Sequence, residues 1–438
     1  MSMRVLLSPL VAVALLTACQ APQAPAPVSP RLAEGFQGAE GAIAPAADEP
    51  VPGGFIVSLR PGADLKAFGA AAEAAGLVLR RTLRLGGRHL ARVQAPEALD
   101  AAEAVRRLEA LPGVQGAMAD RRGTYYGAPD PRQGEQWAHR PDRADTEGAW
   151  GIVPVEAQRK TIAAVIDSGL DVDHPEFAGR VVAPRSFADP EASSAIVTDT
   201  VGHGTHVAGI VGAAGGNGVG VAGVAWGVGI MPIKTGLTIF DMLECIAYAV
   251  RYRPVPDDGS RVRVINMSVG FVTSGVNYLF AEAIEEARQA GCVVVISSGN
   301  NGADVINMPS STPGAIAVGS TGESLGFWER LTTFSNHGPG LALTAPGENI
   351  LSAAPGGGYV FMSGTSMAAP YAAGVAALIA ARYDPENARM DAAFADLVRQ
   401  RLLSAVDDLG TPGPDPYYGS GRLNARKAVT PATLEEVL

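Results

Sequence analysis

The sequence predicts an α/β fold, a doubly wound parallel sheet, preceded by a small α+β unit. Two observations carry the larger part. From about residue 127 onward, apolar runs such as "TIAAVIDSG", "GIMPIK", "VRVINMSVG", "GCVVVISSGN" and "GAIAVGS" end in Gly, Ser, Asn or Asp. Helical stretches such as "FDMLECIAYAV" and "YLFAEAIEEARQAG" sit between them. Strands buried on both faces and alternating with helices make a parallel sheet covered on each side. The smaller part rests on a third observation: residues 54–120 read in the order β-α-β-β-α-β.

In the small unit, "GFIVSLR" is a strand and "DLKAFGAAAEAAG" a helix ended by Gly76. "LVLRRTLRL-GG-RHLARVQ" is a hairpin with Gly86 and Gly87 at its turn. "LDAAEAVRRLEALPG" is a helix with Ala101, Val105 and Leu108 on one face and a Pro-Gly stop. "VQGAMAD" closes the unit as a strand ending near Asp120. The order is that of the ferredoxin-like split βαβ, a fold that says nothing about function by itself. In the larger unit, ligands are expected at the carboxyl ends of the strands. Asp167, Ser268 and Asn300 are the polar residues there, so one crevice should hold all three.

The stretch "SGTSMAAP", residues 363–370, runs into the Ala-rich "YAAGVAALIAAR". Proline lacks an N–H and is harmless in a helix's first turn, where those groups have no internal partner. Pro370 therefore places the helix start close to Ser366, with its hydroxyl at the positive end of the helix dipole. A Ser in that position is otherwise an ordinary N-cap, and both readings stand at this point.

At 438 residues, 47% hydrophobic and 18% charged, the chain is long enough for two domains with buried cores. Its 53 Gly and 32 Pro are spread among apolar segments and mark tight loops. After Arg4, "VLLSPLVAVALLTAC" is short for a membrane span and suits a signal peptide over residues 1–18. Its end, "LTAC", resembles the lipobox of bacterial lipoproteins, which implies cleavage before Cys19 and lipid on its thiol; an ordinary signal peptide is the alternative. Residues 19–53 are Pro/Ala-rich without an apolar face and read as a tether reaching up to ~100 Å if extended. The expected localisation is export, as a lipid-anchored precursor at the cell envelope. Apart from Cys19 only Cys245 and Cys292 remain, too few for a disulfide framework; both read as buried thiols.

Residues 51–126 hold 11 Lys/Arg against 7 Asp/Glu, a net +4, in a chain of net −10. The acidic excess lies mainly in the larger unit, so the two units can attract each other. No basic run or aromatic-basic interleaving points to nucleic acid.

A nucleophilic Ser needs a base within hydrogen-bond reach and a third group to orient that base. Among six His, "VGHGTHVAGIVGAA" places His203 and His206 three apart on one helix face. A zinc pair is discounted because no Glu follows His203 as in the metalloprotease motif. Asp167 ends a six-residue apolar strand, where a carboxylate is costly without a partner such as an imidazole, although a loop cap is the plainer reading. The chain order Asp167, His203, Ser366 excludes the α/β-hydrolase arrangement and is the order of subtilisins.

"AVIDSGLDVDHPEF", "GHGTHVAGIVGA", "VINMSVG", "SSGNNG", "SNHGP", "TAPGENI" and "SGTSMAAP" together resemble the subtilisin-like serine peptidases, in family order, over about residues 134–430. The resemblance implies a subtilisin-like sheet over residues 127–438 and a serine endopeptidase needing no cofactor for catalysis. It implies Ser366 as nucleophile, His203 as general base and acid, and Asp167 as the group holding the imidazole. Asn300 is then the side-chain oxyanion donor, His206 is structural, and Ser268, Val269 and Gly270 offer a strand edge to an extended substrate. Ser298 and Gly299, beside Asn300, are assigned to the same substrate cleft. Residues 54–126 resemble the inhibitory, chaperone-like prodomain of many subtilases. The implied cut, in a tail "RRGTYY" crossing the cleft, lies at Tyr126–Gly127, with Arg122 as the alternative. Partners are protein and peptide substrates, the chain's own prodomain, and a membrane through Cys19.

Glu176 stands where a calcium-binding Asp is often found in the family, and "GAAGGNGVGVAG" resembles the companion loop; a surface Glu beside a plain Gly turn is the alternative. "TGLTIF" passes almost directly into a helix where the family has a Gly/Ser-rich wall, and "YRPVPDDGSRVR" reads as an insertion. Two other functions remain conceivable: a non-catalytic binding lipoprotein, which needs a lost catalytic residue, and a peptide ligase on the same triad, which needs a water-excluding cap over the cleft.

Overall fold

The computed structural model describes residues 49–85, 88–96, 99–122, 130–188, 195–324 and 328–431. These divide into two compact units, with the break after Gly127. The expected signal peptide, Cys19, the Gly86-Gly87 turn and the Tyr126–Gly127 bond lie outside the described residues.

The smaller unit consists of β1 (Glu49–Leu59), α1 (Leu65–Ala74), β2 (Val78–Leu85), β3 (Arg88–Gln94), α2 (Ala101–Glu109) and β4 (Val114–Arg122). Its antiparallel sheet has the order β2-β3-β1-β4, as the split βαβ order requires. Asp64 and Asp100 cap the two helices by accepting two backbone N–H groups each. The helix face differs from the expected one: α2 buries Ala104 and Leu108, with Val105 half-buried and Ala101 exposed. Ala101 opens the helix one turn before Ala104, beyond the reach of the core formed by Phe55, Val57 and Phe68. β4 runs two residues past Asp120.

The larger unit begins with two short helices, α3 (Thr146–Trp150) and α4 (Val155–Gln158), and then β5 (Thr161–Asp167), β6 (Arg185–Ser186), α5 (His203–Gly212) and β7 (Gly229–Lys234). There follow α6 (Ile239–Arg251), β8 (Arg261–Met267), α7 (Tyr278–Gln289), β9 (Val293–Ser297), β10 (Ile316–Ser324), β11 (Trp328–Leu331) and β12 (Leu343–Pro346). The hairpin β13 (Ile350–Ala354) and β14 (Gly358–Met362) leads into α8 (Thr365–Tyr383). The last elements are α9 (Ala392–Ser404), β15 (Val406–Asp407), β16 (Arg422–Leu423) and α10 (Ala425–Val429).

The sheet order is β15-β16-β12-β10-β9-β8-β5-β7-β6, and the pairs from β12 through β6 are parallel. Alternation along β5 shows why both faces are covered. Ala163 and Val165 join the core under α5 and α8, while Ile162, Ala164 and Ile166 join the one under α6 and α7. A capping box between Thr238 and Asp241 starts α6 almost directly after β7, as the short "TGLTIF" implied. Cys245 on α6 and Cys292, just before β9, are buried free thiols, as expected. No described helix is long and apolar enough to cross a membrane.

Helix α8 runs through the core with Thr365 to Ala381 all buried. It is rich in small residues because it passes close to its neighbours: a Cβ on Gly374 would lie 2.5 Å from Cβ of Val224. A buried polar chain ties it to the start of α3 and to the segment before that helix. Thr146 Oγ1 and Tyr371 OH are 2.7 Å apart, and Tyr371 OH lies 2.6 Å from His139 Nδ1. His139 Nε2 faces the carbonyl of Ala222 at 3.1 Å. A carbonyl only accepts, so Nε2 carries the proton and Nδ1 accepts from Tyr371.

Burial pushes His139 down to about 4 and His206 to about 3, so both are neutral in the folded chain. Unfolded, each titrates near ~6.5. A depressed folded pKa gives stability that is complete above the unfolded value and is lost as pH falls toward the folded one. For His139 the loss by pH 4 is about 3 kcal/mol. Urea midpoints should therefore fall between pH 7 and pH 4.5, and His139→Gln should reduce that fall. Equal falls in the two proteins would contradict the neutral-His reading.

Candidate active site

Asp167 is the last residue of β5 and His203 the first of α5, so the strand end and the helix start present them to each other. Asp167 is buried, and its Oδ1 lies 2.7 Å from Nδ1 of His203. A carboxylate only accepts, so Nδ1 bears the proton and Nε2 keeps its lone pair. Oδ1 also accepts the N–H of Ser168 at 2.7 Å, while Oδ2 is buried with no partner among the described residues. A buried carboxylate with one bare oxygen favours a proton on the imidazole beside it. Burial pushes the pKa of His203 down, but the charge and hydrogen bond of Asp167 outweigh it, and the pKa lies above the ordinary value.

Ser366 is the second residue of α8. Its N–H has no partner among the described residues, as expected in a first turn. Pro370 sits at the sixth position, beyond the first turn where the sequence had placed it. Its missing N–H should leave the carbonyl of Ser366 bare. That carbonyl instead accepts from the hydroxyl of Ser268 at 2.8 Å. The hydroxyl of Ser366 in turn donates to the carbonyl of Ser268 at 3.2 Å. Asn266 on β8 donates its side-chain amide to Ser268 Oγ at 3.1 Å. A reciprocal pair of bonds thus joins the end of β8 to the start of α8. Among the described residues no hydrogen bond joins Ser366 Oγ to His203.

Asn300, three residues past β9, has its Oδ1 tied by both the N–H and the hydroxyl of Thr365, each at 2.8 Å. The oxygen is thereby held toward α8, leaving Nδ2 as a donor. Gly364 leaves room beside that donor, since a Cβ there would lie 3.4 Å from Asn300 Nδ2 and 3.6 Å from the N of Ser366.

The neighbours assigned to substrate from the sequence divide. Val269 and Gly270 are half-buried; a Cβ on Gly270 would lie 2.8 Å from the carbonyl of Met308, which accounts for the glycine. The side chain of Ser268 faces α8. Ser298 is fully buried, donates its hydroxyl to the carbonyl of Asn336 at 3.0 Å and bonds through its own N–H to Val318. The hydroxyl and N–H of Ser298 are thus used inside the fold. Gly299, with φ at +115°, has a carbonyl that accepts the N–H of Asn336.

Glu176 is buried, as is Asp130, which the sequence did not single out. Oε1 of Glu176 accepts from the N–H of Val221 and the hydroxyl of Tyr359, both at 2.9 Å, and Oε2 from the amide of Asn217 at 3.2 Å. Asp130 accepts the N–H groups of Gly216, Asn217 and Gly218. A calcium site presents free oxygen lone pairs to one point. Here both carboxylates are turned to N–H and O–H donors, so these residues do not fit calcium. The glycine-rich loop is held by the carboxylates themselves. Nor do His203 and His206 converge on a metal, since Nε2 of His206 donates to the carbonyls of Ile350 and Val360, both 3.0 Å away.

Thr365 and Asp130 are what sequence reasoning missed. Thr365 lay inside the quoted "SGTSMAAP", but its partner is 65 positions away. Asp130 opens the larger unit among loop residues, with nothing local to mark it.

The family model described as the subtilase family matches residues 158–421. The chain is 34% identical over 312 residues to the thermophilic serine proteinase of Bacillus sp. (strain AK1), covering 70% of this chain and 68% of that one. It is 31% identical over 294 residues to thermitase of Thermoactinomyces vulgaris, covering 66% of this chain and 94% of that one. Among solved structures, a protease of Pseudoalteromonas arctica PAMC 21717 matches with a TM-score of 0.58 and 27% identity, over 69% of this chain and 98% of that one.

Two tests follow from the geometry. Ser268→Ala leaves the buried carbonyl of Ser366 unpartnered, which costs about 1–3 kcal/mol; a denaturant midpoint equal to that of wild type would contradict the clamp. Excess chelator should leave the melting temperature unchanged, because the Glu176 and Asp130 oxygens are already occupied; a clear fall would show that a cation is needed there.

Proposed function

The chain belongs to the subtilase family of serine endopeptidases, and on that premise we propose that Asp167, His203 and Ser366 hydrolyse peptide bonds as a triad, with Asn300 stabilising the oxyanion. The observation that carries this is the 2.7 Å bond from His203 Nδ1 to a buried carboxylate, which fixes the tautomer a general base needs. The hydroxyl of Ser366 turns from the carbonyl of Ser268 to Nε2 of His203, loses its proton there and attacks the scissile carbonyl. The imidazolium formed is held by Oδ1 of Asp167 and returns the proton to the leaving amine; water deprotonated by the same His203 then takes the acyl group from Ser366. The oxyanion meets two donors, the N–H of Ser366 and Nδ2 of Asn300. The vacated carbonyl of Ser268 then accepts an N–H of the extended substrate, with Val269 and Gly270 continuing that edge.

The same reading extends to the precursor. We infer a signal peptide over 1–18, a lipid on Cys19, a tether to residue 53, an inhibitory prodomain over 54–126 and a catalytic domain from 127. The ordered split βαβ sheet supports the prodomain assignment. β4 extends to Arg122, paired with Glu49 on β1, which favours a cut beyond the strand at Tyr126–Gly127 over one after Arg122. A cut there leaves the lipid with the prodomain and frees the catalytic domain.

Incubation of the purified precursor, followed by intact mass, tests the proposal. Wild type should yield a fragment beginning at Gly127 and Ser366→Ala should stay full-length. Asn300→Ala should lower kcat more than it raises KM, because its bond strengthens in the transition state. Processing by Ser366→Ala in isolation, or a loss confined to KM for Asn300→Ala, would overturn the corresponding assignment.

A further inference from the structure

We infer that Asp199 is a positioning residue for the Asp167–His203 pair, a single carboxylate that locks the turn after β5 to the first turn of α5. The inference rests on the triad reading above and names what holds the pair together. Asp199 lies four positions before His203 and is 5% exposed. Its Oδ1 accepts the N–H of Val201 at 3.0 Å, the N–H of Gly202 at 2.8 Å and the hydroxyl of Ser168 at 2.9 Å. Its Oδ2 accepts both the N–H and the hydroxyl of Thr205, at 2.8 and 2.7 Å. Five donors meet one carboxylate, and they come from both sides of the catalytic pair.

Two hydroxyls carry the link across. Ser168, the residue after Asp167, donates to Asp199 and accepts the N–H of Gly204, the residue after His203, at 2.9 Å. Thr205 donates to Asp199 and accepts the N–H of Asp171 at 3.0 Å. The chain between is close-packed as well: Leu170 N–H bonds the carbonyl of Val197 at 2.8 Å, and a Cβ on Gly169 would meet that carbonyl at 2.2 Å. A helix cap alone would use only the N–H groups of residues 201–205. The bond to Ser168 reaches a different element, 31 positions away, and gives Asp199 a second role.

Asp199 also acts through its charge. Burial pushes its pKa up, but the bonds from Thr205 and Gly202 outweigh this and keep it ionised, below the usual carboxylate range. The charged and titratable groups that face His203 are Asp167 on β5, Asp199 on the preceding loop and His206 one turn along α5. His206 is neutral, so both charges that act on His203 are negative and both favour its protonated form. The base therefore titrates above its ordinary value, and catalysis, which needs it neutral, should rise with pH through that raised pKa.

The test measures kcat and KM of the enzyme obtained from the full chain, against pH, with a chromogenic peptide anilide and titrated active sites. Asp199→Asn keeps the shape but turns an NH2 group toward donors. It should lower kcat between about tenfold and a hundredfold, with little change in KM, and shift the acid limb to lower pH. Ser168→Ala cuts the link and leaves the charge, so kcat should fall while the limb stays in place. Asp167→Asn is the control: if it leaves both kcat and the limb unchanged, the triad reading itself fails. If Asp167→Asn has its effect while folded Asp199→Asn matches wild type, the role of Asp199 alone is overturned. Should Asp199→Asn not fold, a wild-type kcat for Ser168→Ala overturns it instead.

Discussion

The start of α8 depends on one reciprocal exchange, in which Ser268 and Ser366 each donate a hydroxyl to the other's carbonyl. Pro370 makes the exchange necessary. Without an N–H at that position, the carbonyl of Ser366 has no partner inside its helix, and a bare buried carbonyl is costly. Ser268 supplies the partner from the end of β8, the strand beside β5 in the sheet. A helix packed through the core is thereby pinned at its first turn to the strand end. Asn300, past the end of the neighbouring β9, is pinned to the same turn by Thr365. The proline thus loosens the helix where a strand can hold it.

Around this clamp the buried ionisable groups fall into two kinds. Asp167 and Asp199 are held near His203, and Asp199 is kept ionised by its donors. His139 and His206 are kept neutral by burial and donate to carbonyls that fix their tautomers. The difference follows from what each group faces. Asp199, ringed by five N–H and O–H donors, keeps its charge in the interior, while an imidazole facing carbonyls and apolar side chains does not take one up. His203 stands between these cases, half-buried and beside a carboxylate, which suits a group that must gain and lose a proton.

Much of this could be read along the chain, because it is written locally. Apolar runs that end in Asp, Ser or Asn marked the strands of the parallel sheet and the residues at their tips. The β-α-β-β-α-β order of the small unit held as well. Where reading stopped, the determinant was far away in sequence. Pro370 was read as a first-turn proline because a distant hydroxyl replacing its hydrogen bond leaves no local trace. Thr365, Asp130 and Asp199 act through partners on other elements, and the oxygens of Glu176 meet Val221, Tyr359 and Asn217. On α2 the error was one of phase: Ala101 shares the apolar stripe, but the helix starts there and the core begins a turn later.

The central claim is that the fold makes Ser366 the one nucleophile that His203 activates. Labelling with a fluorophosphonate, followed by peptide mass mapping, tests it most directly. The modified residue should be Ser366, and His203→Ala should abolish the label while leaving the melting curve cooperative. Labelling at another residue, or undiminished labelling of Ser366 in His203→Ala, would contradict it.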